Sequence, residues 1–247
     1  STIIPVHVWG NAVNLEKLIN ICKRRNINII EDASESLGTI YNSGRLKGKH
    51  TGTIGKVGCL SFNGNKILTT GGGGAILTNI KKLAEKAKYL TTQAKDDTRK
   101  FIHNEVGFNY RLSNLHAAVG IAQFENFKKI LKSKHKINKA YSEQINKIPG
   151  LSLNNAPCYA VNNRWLNILR INPQIYQKSP SQLLDLYEKN KIETRHVWRL
   201  NHLQKPYIGY QRYKINNAPN LVDTSLCLPS GSDTTIKQIN KICSLLK

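Results

Sequence analysis

The stretch that most constrains this chain is its first thirty or so residues, where an apolar run, a helical period and a second apolar run follow one another. Ile3 to Val8 reads as a buried strand, Leu15, Leu18, Ile19 and Cys22 recur at helical spacing, and Ile27 to Ile30 forms a second apolar strand ending at Glu31-Asp32. Strand, crossover helix and strand within so short a span make a βαβ unit, which implies parallel pairing and a right-handed connection. Sheets of this kind take their ligands at the carboxyl ends of the strands. Asp32 is thereby placed at the functional edge by topology alone.

The rest of the chain extends that pattern. Gly38 to Gly58 reads as an irregular excursion, after which Val57 to Phe62 re-enters the sheet and Ala75 to Thr78 pairs beside it as an antiparallel edge, with Lys66 between the two. Residues 80–91 read as a helix, 96–110 as a crossing loop, and 113–147 as one long helix with Ser113 as its N-cap. Pro149-Gly150 ends that helix and marks the expected boundary between a first domain, 1–148, and a second, 149–247. Beyond it, Trp165–Ile171 and Ile192–Arg195 read as strands, Ser181–Lys189 as a capped helix and Ile236–Leu246 as a terminal helix. The fold class expected is α/β: a mixed, mostly parallel sheet followed by a smaller α/β domain.

Composition narrows the function. No apolar run is long enough to cross a bilayer, and the five cysteines, Cys22, Cys59, Cys158, Cys227 and Cys243, lie far apart without CxxC pairs or histidines at ligand spacing. Reduced thiols in a cytoplasmic protein, without a metal site, are the expectation. The 37 basic residues against 15 acidic ones give a net charge of +22, but the lysines alternate with apolar residues at helical spacing, as on solvated helix faces. That distribution disfavours a nucleic-acid partner and suits a positive field that attracts a diphosphate. The absence of methionine, and a start that reads as the middle of a sheet, lead us to expect a chain shorter than its gene product.

Two segments carry the chemistry: Asn28-Ile-Ile-Glu-Asp-Ala-Ser-Glu-Ser-Leu-Gly38 and Ser61-Phe-Asn-Gly-Asn-Lys-Ile-Leu-Thr-Thr-Gly-Gly-Gly-Gly74. A lysine in a glycine-rich loop, downstream of a buried strand ending in aspartate, is the minimal apparatus for holding pyridoxal phosphate covalently. The amine attaches to the cofactor aldehyde and the carboxylate keeps the pyridine nitrogen protonated. The P-loop pattern GxxxxGK[ST] is not met, because asparagine precedes Lys66 and isoleucine follows it. The glycines Gly71–Gly74 are assigned instead to backbone clearance around the lysine.

Both segments resemble the DegT/StrS sugar aminotransferases, a branch of the fold type I pyridoxal phosphate enzymes, and Glu105-Val-Gly-Phe-Asn-Tyr-Arg-Leu-Ser113 continues the resemblance. Asn163-Arg-Trp-Leu166, Ile192-Glu-Thr-Arg195 with Trp198, and Cys227-Leu-Pro-Ser-Gly231 are most similar to the members that aminate 4-keto-6-deoxy UDP-N-acetylhexosamines on routes to bacillosamine and legionaminic acid. The resemblance implies Lys66 as the catalytic residue and cofactor anchor, Asp32 at the ring nitrogen, Glu35 over the ring and Ser61 at the phosphate. It further implies that Asn109 and Arg111 reach a neighbouring subunit's cofactor phosphate across a homodimer interface, with glutamate and a UDP-sugar as substrates. His7, at the end of the first strand beside Trp9, and Arg195 and His202 in the second domain are the candidates for substrate contact. For His7 and Trp9 a place in the core is the equal alternative; for Asn109 and Arg111 it is local loop hydrogen bonding. A catalytically silent relative and a basic binding protein stand as the competing functional readings.

Overall fold

A computed structural model of the chain describes all 247 residues. In chain order the elements are β1 (Thr2–Ile3), α1 (Leu15–Arg24), β2 (Asn28–Asp32), β3 (Ile40–Tyr41), β4 (Val57–Ser61), β5 (Gly74–Leu77), α2 (Lys81–Thr91), β6 (Lys95–Asp97), β7 (Ile102–His103), α3 (Asn114–Glu125) and α4 (Phe127–Ile145). They continue as β8 (Leu151–Leu153), β9 (Ala160–Val161), β10 (Asn167–Ile171), α5 (Pro180–Lys189), β11 (Arg195–His196), α6 (Ala218–Asp223), β12 (Ser225–Leu228) and α7 (Ile236–Ser244). The chain divides into two compact units, one of residues 1–131 with 156–165, the other of 132–155 with 166–247.

The first unit is built on a sheet of order β1-β2-β4-β5, in which β1, β2 and β4 run parallel and β5 returns antiparallel. The expected βαβ unit is present, with Leu15 and Cys22 of α1 buried. Its first strand departs from expectation. Only Thr2 and Ile3 pair as a strand, and Ile4, Val6 and Val8 are exposed, because this is an outer edge and Pro5 has no N–H to continue the ladder. The line rejoins β2 at Val6, where the His7 amide donates to the Asp32 carbonyl at 3.0 Å. Segment 156–165 also departs from the expected boundary at residue 149: β9 pairs with β3, so these residues belong to the first unit.

The expected single long helix is two helices, α3 and α4. Ser113 caps α3 as expected, but at Asn126 the side-chain amide turns back to the Ala122 carbonyl at 2.9 Å and competes with the backbone ladder. The crossing loop at 96–110 carries the two-stranded ribbon β6–β7.

The second unit has an antiparallel sheet of order β11-β12-β10-β8, with all four residues of β12 buried. Tyr141, Ile145, Leu169, Leu183, Tyr187, Leu226, Ile239 and Leu246 form its core, each such side chain contributing roughly 1.5–3 kcal/mol on burial. The phenols are satisfied: Tyr141 donates to the Pro229 carbonyl at 3.0 Å and Tyr187 to that of Ile242 at 3.1 Å. Ser179, two residues earlier than the expected helix start, forms a capping box with Gln182 and places Pro180 in the first turn, where its missing N–H costs nothing. No helix is long and apolar enough to cross a membrane.

Lys134 of α4 is buried and donates to the Ser230 carbonyl. Burial pushes its pKa down to about 8, partly offset by Asp233. A lysine that binds fewer protons folded than unfolded makes stability rise with pH, here from about pH 8 upward. Above about 9 the buried Cys243 thiol, pushed up to about 11, opposes the rise, since it ionises more readily once unfolded. Urea unfolding stepped between these two values should show stability climbing by about 1 kcal/mol. Lys134→Met should flatten that climb.

Candidate active site

The parallel strands deliver Asp32 and Ser61 to one face of the sheet. Asp32 is the last residue of β2 and lies in register with Cys59 of β4, and Ser61 follows two residues on, hence on the same face. Asp32 and Ser61 are both half-buried. The carboxylate of Asp32 is held at one oxygen: Oδ1 accepts from the Ser34 amide at 3.1 Å and from its hydroxyl at 2.6 Å. Oδ2 accepts nothing from the protein, so an aimed carboxylate oxygen stands available to a cationic N–H. Cys59 feels the arrangement, because burial and then the Asp32 charge push its thiol pKa up.

Lys66 sits in the loop between β4 and β5, and that loop is firmly seated. Its turn is closed by the Lys66 amide on the Asn63 carbonyl (3.0 Å), and its base by Phe62 on Gly73 and Thr70 on Phe62 (each 2.9 Å). Ile67 and Leu68, directly after the lysine, are buried and anchor it. Of the four glycines, Gly71 and Gly73 take positive φ, 82° and 86°, which a side chain would strain. The Ser61 hydroxyl accepts from the Asn63 amide at 3.3 Å, which faces it toward the same turn.

Glu35 joins these groups. Its Oε2 accepts from the Trp9 amide at 2.7 Å, and Trp9 presents that amide from a left-handed backbone, φ 55°. Burial raises the Glu35 pKa; the Trp9 hydrogen bond and the Lys66 cation draw it down, and the Asp32 charge pushes it up again. One carboxyl group thus senses both Lys66 and Asp32, so the three occupy a single electrostatic neighbourhood at the carboxyl ends of the parallel strands. A pyridine ring with a cationic nitrogen, an aldehyde and a phosphate fits this donor set: a free carboxylate oxygen, a primary amine, a hydroxyl and glycine amides.

The segment Asn163-Arg-Trp-Leu166, given only as part of the resemblance and assigned no task from the sequence, closes the site. Asn162 and Asn163 are buried, and the Asn163 side chain donates to the Glu35 and Leu37 carbonyls (3.0 and 2.9 Å) while accepting the Trp165 amide at 3.0 Å. Asn162 donates to the Trp9 carbonyl at 3.1 Å. Trp165 then donates its indole N–H to the Asn65 carbonyl at 2.7 Å and sets its ring 4.3 Å from the Lys66 Nζ, a cation–π contact. A pair of asparagines ahead of Arg-Trp was the available signal, since buried amides of this kind must bond to backbone. Gly10 belongs to the same clamp: at φ 78°, a β-carbon there would stand 2.1 Å from the Asn163 Oδ1.

His7 requires a correction. It is fully buried, with Nδ1 accepting from the Val13 amide at 3.0 Å and Nε2 therefore donating to Glu31 at 3.0 Å. Both ring nitrogens are used inside the protein, so it is a core histidine and not a substrate contact. Asn109 and Arg111 do not gather around Lys66. Asn109 bridges backbone to Thr92, and Arg111 lines a cavity of about 760 Å³ with Cys59, Gly72, Tyr110 and His116. That cavity includes neither Asp32, Glu35 nor Lys66. In the second unit, Arg195 is exposed and bonded to Glu193 at 3.0 Å, and His202 is half-buried in a 3-10 turn.

Residues 1–247 match the DegT/DnrJ/EryC1/StrS aminotransferase family along their whole length. The chain belongs to this family. Among curated relatives, it is 34% identical over 248 residues to EpsN of Bacillus subtilis (strain 168), which bears the provisional name of a pyridoxal phosphate-dependent aminotransferase. That alignment covers 99% of this chain and 62% of EpsN. It is 30% identical over 247 residues to the GDP-perosamine synthase of Caulobacter vibrioides, covering 99% and 64%. A UDP-4-amino-4,6-dideoxy-N-acetyl-beta-L-altrosamine transaminase of Campylobacter jejuni is 28% identical over 241 residues, covering 94% and 61%. The chain therefore spans a little under two thirds of the length of these family members. Of solved structures, DesI, determined with its TDP-sugar product, superposes with a TM-score of 0.90 at 22% identity over 100% of this chain and 61% of that one. Helicobacter pylori PseC gives 0.88 at 19%, over 99% and 65%. The mixed α/β fold of the family is thereby established here.

The asparagine clamp gives a testable expectation. Asn163→Ala strips the Glu35 and Leu37 carbonyls and the Trp165 amide of their partner, and should lower stability by roughly 2–4 kcal/mol in urea unfolding. It should also quench less of the Trp165 fluorescence, as the indole leaves the Lys66 ammonium.

Proposed function

We propose that this chain carries the lysine-bearing part of a pyridoxal phosphate-dependent nucleotide-sugar aminotransferase. In this reading it moves an amino group from glutamate to the 4-keto carbon of a UDP-linked 4-keto-6-deoxy-N-acetylhexosamine, for surface glycan or nonulosonic acid synthesis. The observation that carries the reading is the shared neighbourhood of Asp32, Glu35 and Lys66, with one oxygen of Asp32 held by Ser34 and the other open. Family membership supports the aminotransferase class, and the Campylobacter jejuni transaminase, named for a UDP-sugar, supports the nucleotide.

Pyridoxal phosphate, when bound, supplies an aldehyde that takes up nitrogen and a ring that accepts an electron pair. Lys66 is the residue that would hold it, and the same amine, when free, would hold and move a proton beside the reacting carbon. Asp32, through Oδ2, would hold the proton at the ring nitrogen, because a carboxylate beside a cation keeps both ionised. Ser61 would bind the phosphate. Glu35, fixed by the Trp9 amide, would lie over the ring. Two half-reactions that use one amine in turn give ping-pong kinetics. Asn109 and Arg111 would serve the cofactor phosphate of a second subunit in a homodimer, and Arg195 and His202 the nucleotide-sugar.

The full-length protein incubated with pyridoxal phosphate should show an absorbance band at the visible edge, and borohydride should remove the band and leave the cofactor on the peptide containing Lys66. Lys66→Ala should lose the trapped peptide and at least roughly 10²–10⁴-fold of the glutamate-to-sugar turnover. A protein that folds but gives no band, or a Lys66→Ala variant that turns over normally, defeats the reading. Offering UDP- and GDP-linked 4-keto-sugars side by side tests the nucleotide, with the UDP compound expected to react faster.

A further inference from the structure

Lys66 enters no salt bridge of the chain, and the Glu35 carboxyl that feels its charge is tied through Oε2 to the Trp9 amide. What holds the ammonium is a ring. Trp165 is 3% exposed, its ring centroid stands 4.3 Å from the Lys66 Nζ, and the residue is fastened at both ends. Its indole N–H donates at 2.7 Å to the carbonyl of Asn65, the residue directly before the lysine. Its backbone amide donates at 3.0 Å to Asn163, whose own side chain is bonded to the Glu35 and Leu37 carbonyls. The ring cannot turn away from Lys66 without breaking the bond to the turn that carries Lys66. A π face also differs from a carboxylate as a partner for this amine. It attracts the charged form, yet offers no carboxylate oxygen to take the proton or to tie the amine down. A lysine side chain is long and flexible, and placing its end costs rotamer freedom each time. An amine that must leave a bonding partner, carry a proton and return needs a resting place that holds it without neutralising it.

We propose that Trp165 is the positioning residue for the free Lys66 amine: its ring holds the ammonium in the site and keeps the proton on it until that proton is delivered. No bond forms or breaks at Trp165 itself. The proposal rests on the aminotransferase reading, since in that reading the amine is alternately bonded and free.

The first arm of the test reads the lysine without cofactor. In the full-length protein freed of cofactor, acetic anhydride labelling of Lys66 is followed by mass spectrometry of its peptide. Wild type is compared with Trp165→Phe, Trp165→Leu and proteins carrying mono-, di- or trifluorinated tryptophan at position 165 alone. The fluorinated rings keep their indole N–H and nearly their size, but lose negative charge from the face. Only the uncharged amine is acylated, so Trp165→Leu should label Lys66 roughly 2- to 30-fold faster than wild type. Trp165→Phe should lie between the two, and the fluorinated proteins should rise in order of fluorine number. In the second arm the same proteins are loaded with cofactor and taken through each half-reaction. Glutamate removes the visible band and the keto-sugar nucleotide restores it; restoration, which needs the lysine to return, should slow in the order in which labelling quickens, with half-saturation by both substrates unchanged. Labelling indifferent to fluorine number, even with Trp165→Leu faster, makes the residue a space-filler and overturns the proposal, as does a restoration rate that ignores the labelling order. Either result leaves the aminotransferase reading intact. The fluorinated series keeps the bond to Asn65, so it decides the matter even if Trp165→Leu folds poorly. A wild-type protein without the band overturns the aminotransferase reading, and the proposal with it.

Discussion

The carboxylate of Glu31 is the constraint on which the first unit depends. It is fully buried and accepts four hydrogen bonds: from His7 at 3.0 Å, and from the amides of Gly52, Ile54 and Gly55 at 2.8, 2.6 and 2.6 Å. Burial alone would raise its pKa, but the bonds from His7 and these amides outweigh it and hold the group below the ordinary value. A buried charge is tolerated only when its lone pairs are filled in this way. The result is a strut that ties the turn after β1, the strand β2 and the loop before β4 to one point, one residue from Asp32. The aspartate then has a fixed backbone, and Ser34 orients its side chain.

Around that strut the site is assembled from pieces distant in sequence. The 3-10 turn at Trp9 supplies an amide to Glu35, the loop after β4 supplies Lys66, and residues 162–165 return to lock both. Electrostatics and packing act together here. The Glu35 carboxyl senses the charges of both Lys66 and Asp32, and the Trp165 ring lies 4.3 Å from the Lys66 Nζ. Preorganisation of this kind is what a covalently held cofactor requires, because the ring must meet its charge partners without rearrangement.

Much of this was legible in the residues. The βαβ opening, the antiparallel return at β5 and the position of Lys66 between β4 and β5 followed from period and punctuation, which are local properties. The places where reading failed are places where long-range bonds decide. Ile3 to Val8 is apolar enough for a central strand, yet it lies at an edge, and only pairing order distinguishes the two. His7 looked like a cleft residue because its partner Glu31 is 24 positions away. The break at Asn126 turns on one side-chain amide choosing a backbone carbonyl, and residues 156–165 fold back because β9 finds β3, more than a hundred residues earlier. Asn162 and Asn163 carried a signal, but the need of a buried amide for partners becomes specific only when the partners are known.

The antiparallel strand β5 ends the first sheet, and one of its flanks has no neighbour within this chain. Ile76, on that strand, is half exposed. An edge strand that carries apolar side chains is a template for strand addition. The free flank of β5 is accordingly the side on which this sheet can be extended by a further strand.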